Sequence, residues 1–144
     1  MPLITKLYAY NIPINDMVLI YSIYIRSTLE YACTVWHSGL TEEEITDIER
    51  VQKTSLKIIL KDKYVDYESA LTLTKLKNLD ERRKLLCLEF AVSCTKQQST
   101  KDLFPKNDQN IRKKEKYFVK FANTERLKKS SIPYMQRLLN EDII

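Results

Sequence analysis

Apolar residues recur at three- and four-residue spacing through most of this chain, the period of a helix with one buried face. Val18, Tyr21, Ile25, Leu29, Ala32 and Trp36 follow that rule and predict one helix over residues 16–36. Asn15 or Asp16 is placed to cap it, because a side-chain oxygen there can accept an orphan backbone N–H. Its first turns are apolar nearly all round, which predicts a position at the centre of the core. Arg26 and Glu30 stand one turn apart and can pair. Gly39 is the expected stop, through a left-handed conformation. A T-x-x-E capping box, Thr41 and Glu44, opens a second helix over 42–60. Ile45, Ile48, Gln52, Leu56 and Ile59 mark its inner face. Acids crowd its first half and bases its second, an order that complements the helix dipole. The short connection makes the two helices antiparallel or sharply crossed neighbours.

Further on, "DYESALTLTKL" reads as a short helix capped by Asp66. "NLDERRKLLCLEFAVSCTK" reads as a longer one, with Asn78 and Glu81 as its capping box and Leu79, Leu86, Phe90 and Cys94 along one side. "QQST" and "FPKNDQN" read as loop. In "EKYFVKFANTERLKKSS", Tyr117, Val119 and Phe121 alternate like a short strand, with no obvious pairing partner nearby. "SIPYMQRLLNED" predicts a closing helix, with Pro133 near its first turn, where a missing N–H does no harm. The expected fold is all-α: a small multi-helix domain over 1–104, then an irregular basic segment and a C-terminal helix over 105–144, packed on the same domain.

Composition narrows this picture. One glycine and four prolines in 144 residues argue against an all-β fold, which needs many tight turns. They also exclude a glycine-rich phosphate loop. Cys33, Cys87 and Cys94 are odd in number and irregular in spacing, which fits reduced thiols in an intracellular setting, cytoplasmic or nuclear. No signal-peptide pattern opens the chain, and the most apolar run, 17–25, is too short to span a bilayer.

Trp36, His37 and Gly39 are the only Trp, His and Gly, and they fall within four positions. A helix end and corner accounts for all three: a packed indole, an imidazole at the negative terminus and a turn residue. The chemical alternatives are a Cys33–His37 pair or a zinc site from Cys33, His37, Cys87 and Cys94. The C-x3-H and C-x6-C spacings are not those of ordinary structural zinc modules. No metal or other cofactor is expected.

Charge is concentrated. Residues 112–129 hold eight bases (Arg112, Lys113, Lys114, Lys116, Lys120, Arg126, Lys128 and Lys129) against two acids. That segment nets +6 of the chain's +5, leaving the rest at −1. Tyr117, Phe118 and Phe121 interleave with the bases. Such a segment suits RNA or DNA, with cations on phosphates and rings on unpaired bases, or it is a solvated basic loop whose rings pack inward. A second row, Arg50, Lys53, Lys57 and Lys61, lies on one face of the second helix and suits backbone contact without sequence readout.

The blocks "IRSTLEYA", "VWHSGLT" and "IERVQKTSLKIIL", in that order, resemble the region just after the polymerase core in reverse transcriptases of non-LTR (LINE-like) retrotransposons. The likeness continues through "YESALTLTKLKNLDERRKLLCLEFA", "LFP" and "TERLKKSSIPYMQRLLNED", over nearly the whole chain. It implies the thumb and post-polymerase region of an RNA-directed DNA polymerase. The family's metal-binding "[FY]-x-D-D" motif has no counterpart here, since no two aspartates are adjacent. The expectation is therefore a non-catalytic fragment that contacts the nucleic-acid backbone, with a polymerase palm as a further partner. The alternative, from a different class, is a helical protein–protein interaction module that does not bind nucleic acid.

Overall fold

The computed structural model describes residues 4–6, 10, 12–107, 116–119 and 121–141, and these form helices joined by turns. The first helix, α1, begins at Ile14, earlier than Asn15 or Asp16 as caps would require. Pro13 stands at the cap instead. Its ring presets φ at −54°, and its carbonyl accepts the Met17 N–H at 3.0 Å. Helix α1 is α-helical over Ile14–Ile20, widens to a π-helix over Tyr21–Arg26, and returns to α over Ser27–Glu30. Where it widens, the Thr28 hydroxyl donates to the Tyr24 carbonyl at 2.8 Å, and the Ser27 hydroxyl to that of Ile23.

The helix expected over 16–36 is in fact two. Tyr31 is extended and Ala32 is left-handed, with φ 50° and ψ 26°. That conformation costs an alanine about 1–2 kcal/mol, so surrounding packing imposes it. A short α2, Cys33–Trp36, follows and tightens into a 3-10 turn over His37–Gly39. Gly39 does not take the left-handed role, for no glycine here has positive φ. A Cβ at position 39 would meet nothing within 4 Å.

Helix α3, Glu42–Leu60, starts on the predicted capping box: Glu44 N–H donates to Thr41 Oγ1 at 3.3 Å, and Thr41 N–H donates to Glu44 Oε2 at 2.8 Å. Helix α4, Tyr67–Thr74, is capped by Asp66, which accepts the Ser69 N–H at 2.9 Å. These bonds to the ionised carboxylates hold both acids below their usual range. Helix α5 spans Leu79–Lys96, and Asn78 Oδ1 accepts the Glu81 N–H at 2.8 Å. Two short helices close the described chain, α6 over Glu125–Lys128 and α7 over Ser131–Glu141. No strand occurs among the described residues. An isolated antiparallel bridge joins Lys106 and Tyr117, so the alternating segment does find a partner, in the "FPKN" loop.

The chain divides into two compact units interleaved in sequence, not at 104/105. One comprises Met1–Tyr31 with Thr41–Arg82, the other Ala32–Leu40 with Arg83–Ile144. The first unit's core is Met17 and Tyr21 from α1, Leu56, Ile59 and Leu60 from α3, and Ala70 and Leu71 from α4, together with Ile4. Only one face of α1 joins it. Leu19, Ile23 and Tyr24 are each more than half exposed, so the all-round apolar turns are not all interior.

A polar network runs through this unit. Gln52 is fully buried. Its Oε1 accepts from the Tyr21 hydroxyl at 2.8 Å, and its Nε2 donates to Tyr67 Oη at 2.8 Å and to the Lys77 carbonyl at 3.0 Å. The Tyr67 hydroxyl donates in turn to Glu49, whose carboxylate also accepts the Leu79 N–H at 2.9 Å, capping α5. Burial, foremost, pushes both phenols above their usual range.

The second unit's core is Ala91 and Cys94 of α5, Phe104, Tyr117, and Met135 and Leu139 of α7. Of the Leu79–Leu86–Phe90–Cys94 side that the sequence suggests for α5, Leu79 and Cys94 are buried. Phe90 is half exposed, and Arg83, Cys87 and Ala91 are fully buried at four-residue spacing.

Candidate nucleic-acid interface

The described part of the basic segment is built on the second unit. Phe118 N–H donates to the Pro105 carbonyl at 2.9 Å, and Asn107 N–H to that of Lys116 at 3.1 Å. On Tyr117 the Asn140 amide takes the place of a neighbouring strand: Oδ1 accepts its N–H at 2.9 Å and Nδ2 donates to its carbonyl at 3.0 Å. These bonds seat the Tyr117 ring in the core and leave Phe118 and Phe121 outside, 40% and 83% exposed. Tyr117 is therefore structural and is withdrawn from any stacking role. Lys116 is exposed, and its ammonium lies 5.6 Å from the Tyr117 ring centroid.

Helix α6 carries the next bases. Thr124 caps it by accepting the Leu127 N–H at 3.3 Å. Arg126, Lys128 and Lys129 are exposed around it, with Lys128 paired to Glu125 at 3.4 Å across solvent. Such a pair contributes little to stability and exchanges readily for another anion. The Arg137 guanidinium donates to the Lys128 carbonyl at 2.7 Å, which fixes the end of α6 against α7. Of the remaining predicted bases, Arg112, Lys113, Lys114 and Lys120 lie outside the described residues.

Beside these bases lies a groove of about 570 Å³, bordered by Leu103, Pro105, Phe118, Leu127, Ile132 and Pro133, with Asp102 and Gln136 among its polar members. In sequence the lining belongs to the loop around "FPKN", to the alternating segment and to the start of the closing helix, none of which suggests a groove. Its one signal is a run of apolar residues next to turn residues in "LFPK" and "SSIP".

The second predicted row sits on α3, in the first unit. Arg50 pairs with Asp47 at 3.0 Å, and both are largely exposed. The Lys53 and Lys57 ammoniums lie 5.9 and 5.6 Å from the Tyr67 and Tyr64 ring centroids. Lys61 has left the helical conformation at the end of α3, with φ 44° and ψ −115°. Two of the four thus cover aromatic faces of their own unit, which favours a structural part for them.

The Trp36–His37 pair proves to be one side of a buried cation site. Arg83 is fully buried, its guanidinium 5.8 Å from the half-buried Trp36 ring centroid. Its Nε–H donates to His37 Nδ1 at 3.4 Å, and the imidazole meets Tyr134 edge to face at 5.7 Å. The histidine ring nitrogen that faces the arginine is an acceptor for it. None of the three cysteines is in a disulfide, all are buried, and Cys87 Sγ–H donates to the Cys33 carbonyl at 3.9 Å. Burial, then the neighbouring Cys33, pushes the Cys87 thiol up to about 12, which makes it a poor nucleophile at neutral pH. Among the described residues no three His, Cys, Asp or Glu side chains are grouped to hold a metal ion, so the four-residue zinc alternative is not assembled. No helix among them is long and apolar enough to cross a membrane.

No family model, no curated protein and no solved structure matched this chain.

Proposed function

We propose that this chain is a nucleic-acid-contacting helical module, corresponding to the thumb and post-polymerase region of a non-LTR retrotransposon reverse transcriptase and contributing no catalytic step of its own. The observation that carries the reading is that one stretch of sequence exposes both Phe121, 83% exposed, and the bases Lys116, Arg126, Lys128 and Lys129. Exposed cations and an exposed ring in one segment suit a sugar–phosphate backbone whose bases stack. Backbone contact of this kind is sequence-tolerant, because phosphates carry no sequence information. The order of the sequence blocks is the support for the family reading. A palm domain would supply the metal-binding carboxylates, which no adjacent aspartate pair in these residues supplies.

Filter binding of labelled RNA and DNA to the full chain tests it. Affinity should fall steeply as salt rises, because each neutralised phosphate releases condensed counterions. Replacing Lys113, Lys114, Lys128 and Lys129 by Gln should weaken binding and leave the fold intact. Absence of salt-sensitive binding would overturn the reading.

A second reading, a protein–protein interaction module, rests on a different observation. Leu19, Ile23 and Tyr24 leave an apolar strip on α1 exposed, and Tyr31 beyond it is 80% exposed. Retained partner capture by the four-lysine variant, with nucleic-acid binding absent from the parent protein, would put this reading first.

A further inference from the structure

The groove in the second unit joins three chemical features that a duplex cannot use together. Its walls are apolar and include the Phe118 ring and Pro133. Its volume, about 570 Å³, falls in the range of ligand-sized clefts. Exposed bases adjoin the lining residues in sequence: Lys101, Lys106, Arg126, Lys128 and Lys129. Within the lining, the charged group is an acid, Asp102. A ligand that fits must be anionic outside, flat or apolar inside, and able to donate a hydrogen bond inward.

Resting on the nucleic-acid reading above, we infer that the groove takes one splayed-out base of a single strand, with its flanking phosphates on the adjoining lysines and Arg126. An amino-bearing base is preferred, because its exocyclic N–H can donate to the Asp102 carboxylate, whereas the N3–H of uracil is flanked by two carbonyl acceptors that face the same carboxylate. Asp102 also argues against a competing occupant. The hydrocarbon chain of a fatty acid would offer the Asp102 carboxylate no hydrogen-bond donor. A base in a duplex is stacked and paired and cannot enter, so the site discriminates single strands from duplex. The preference belongs to the groove, and the salt dependence belongs to the adjoining cations.

The test is fluorescence anisotropy of the full chain with labelled oligocytidine and oligouridine of about twelve nucleotides and a duplex of the same length. Oligocytidine is expected to bind tightest and duplex weakest. Phe118→Ala, at a half-exposed position, should cost oligocytidine binding about fivefold to a hundredfold, the range for losing one stacked base. Duplex binding and its salt slope should not change. Asp102→Asn should narrow the gap between oligocytidine and oligouridine. Ile132→Trp, which fills the groove from an exposed position, should reproduce the Phe118→Ala result, and thermal melts of each variant check its fold. Equal binding of single strand and duplex, with Lys→Gln variants still weakening both, would overturn the groove assignment and leave the backbone reading standing. Salt-sensitive binding to neither would remove both. An acidic peptide with leucine anchors that bound the parent chain and not Phe118→Ala would also overturn the assignment and mark the groove as a protein-docking site.

Discussion

The largest fully buried polar side chain of each unit, Gln52 in the first and Arg83 in the second, is held by different means. In the first, Gln52 lies fully buried and neutral, and each end of its amide meets a phenol or a carbonyl. In the second, Arg83 lies fully buried with a fixed charge, against the Trp36 face and the His37 nitrogen. A neutral network satisfied by hydrogen bonds orders a core at modest cost. A buried cation carries a desolvation penalty that aromatic faces offset only in part. The first unit therefore uses polarity to specify its packing, and the second holds a charge in its interior.

Replacing Arg83 probes that difference with the largest expected effect. Arg83→Ala should destabilise by about 3–5 kcal/mol, through a cavity and the lost partner of Trp36 and His37. Arg83→Met should recover most of that loss, since it restores volume without charge. Urea melts of the two variants compare them, and an equal, severe loss in both would show that the charge itself is required. Next in size is the first unit's network. Gln52→Leu strands the Tyr21 hydroxyl and the Lys77 carbonyl and should cost about 1–3 kcal/mol. A near-zero cost would mean that Glu49 and the two tyrosines satisfy one another without it.

The smallest effect concerns the caps of the first unit. Glu44 and Asp66 are held below their usual range by the backbone N–H bonds of Thr41 and Ser69. A lowered folded-state pKa contributes stability above the unfolded value and loses it as pH falls through the folded one. Acid melts should therefore show a decline beginning below about pH 4.5, where unfolded carboxylates protonate. Glu44→Gln and Asp66→Asn should flatten it. Unchanged acid sensitivity in both variants would assign the decline to other carboxylates.

Local rules made much of the first unit legible. Thr41 with Glu44, Asp66 with Ser69, and the Gln52–Leu56–Ile59 face follow from spacing and short-range bonds alone, and the structure has them. What stayed hidden depends on contacts distant in sequence. Arg83 reads as surface because charged residues usually are, and the approach of Trp36 and His37 comes from residues distant in sequence. Ala32 carries no mark of a left-handed residue, and tertiary packing breaks the expected helix there, while Gly39, the marked residue, goes unused. Tyr117 reads as a stacking candidate because nothing nearby announces that Lys106 and Asn140 will hold its backbone and turn its ring inward. The groove beside it is assembled from segments as distant as Asp102 and Gln136, beyond the reach of any window of residues.

The central claim is that the second unit's bases meet phosphate and that the α3 row serves mainly its own unit. The direct measurement is the slope of log K against log[salt] for single-stranded RNA, taken for the parent chain and two fourfold Gln variants. One replaces Lys116, Arg126, Lys128 and Lys129, and the other replaces Arg50, Lys53, Lys57 and Lys61. A parent slope of about −3 to −5 is expected. The first variant should flatten it by roughly one unit per lost contact, and the second by less than about one unit in all. A slope that stayed steep in the first variant and collapsed in the second would contradict the account.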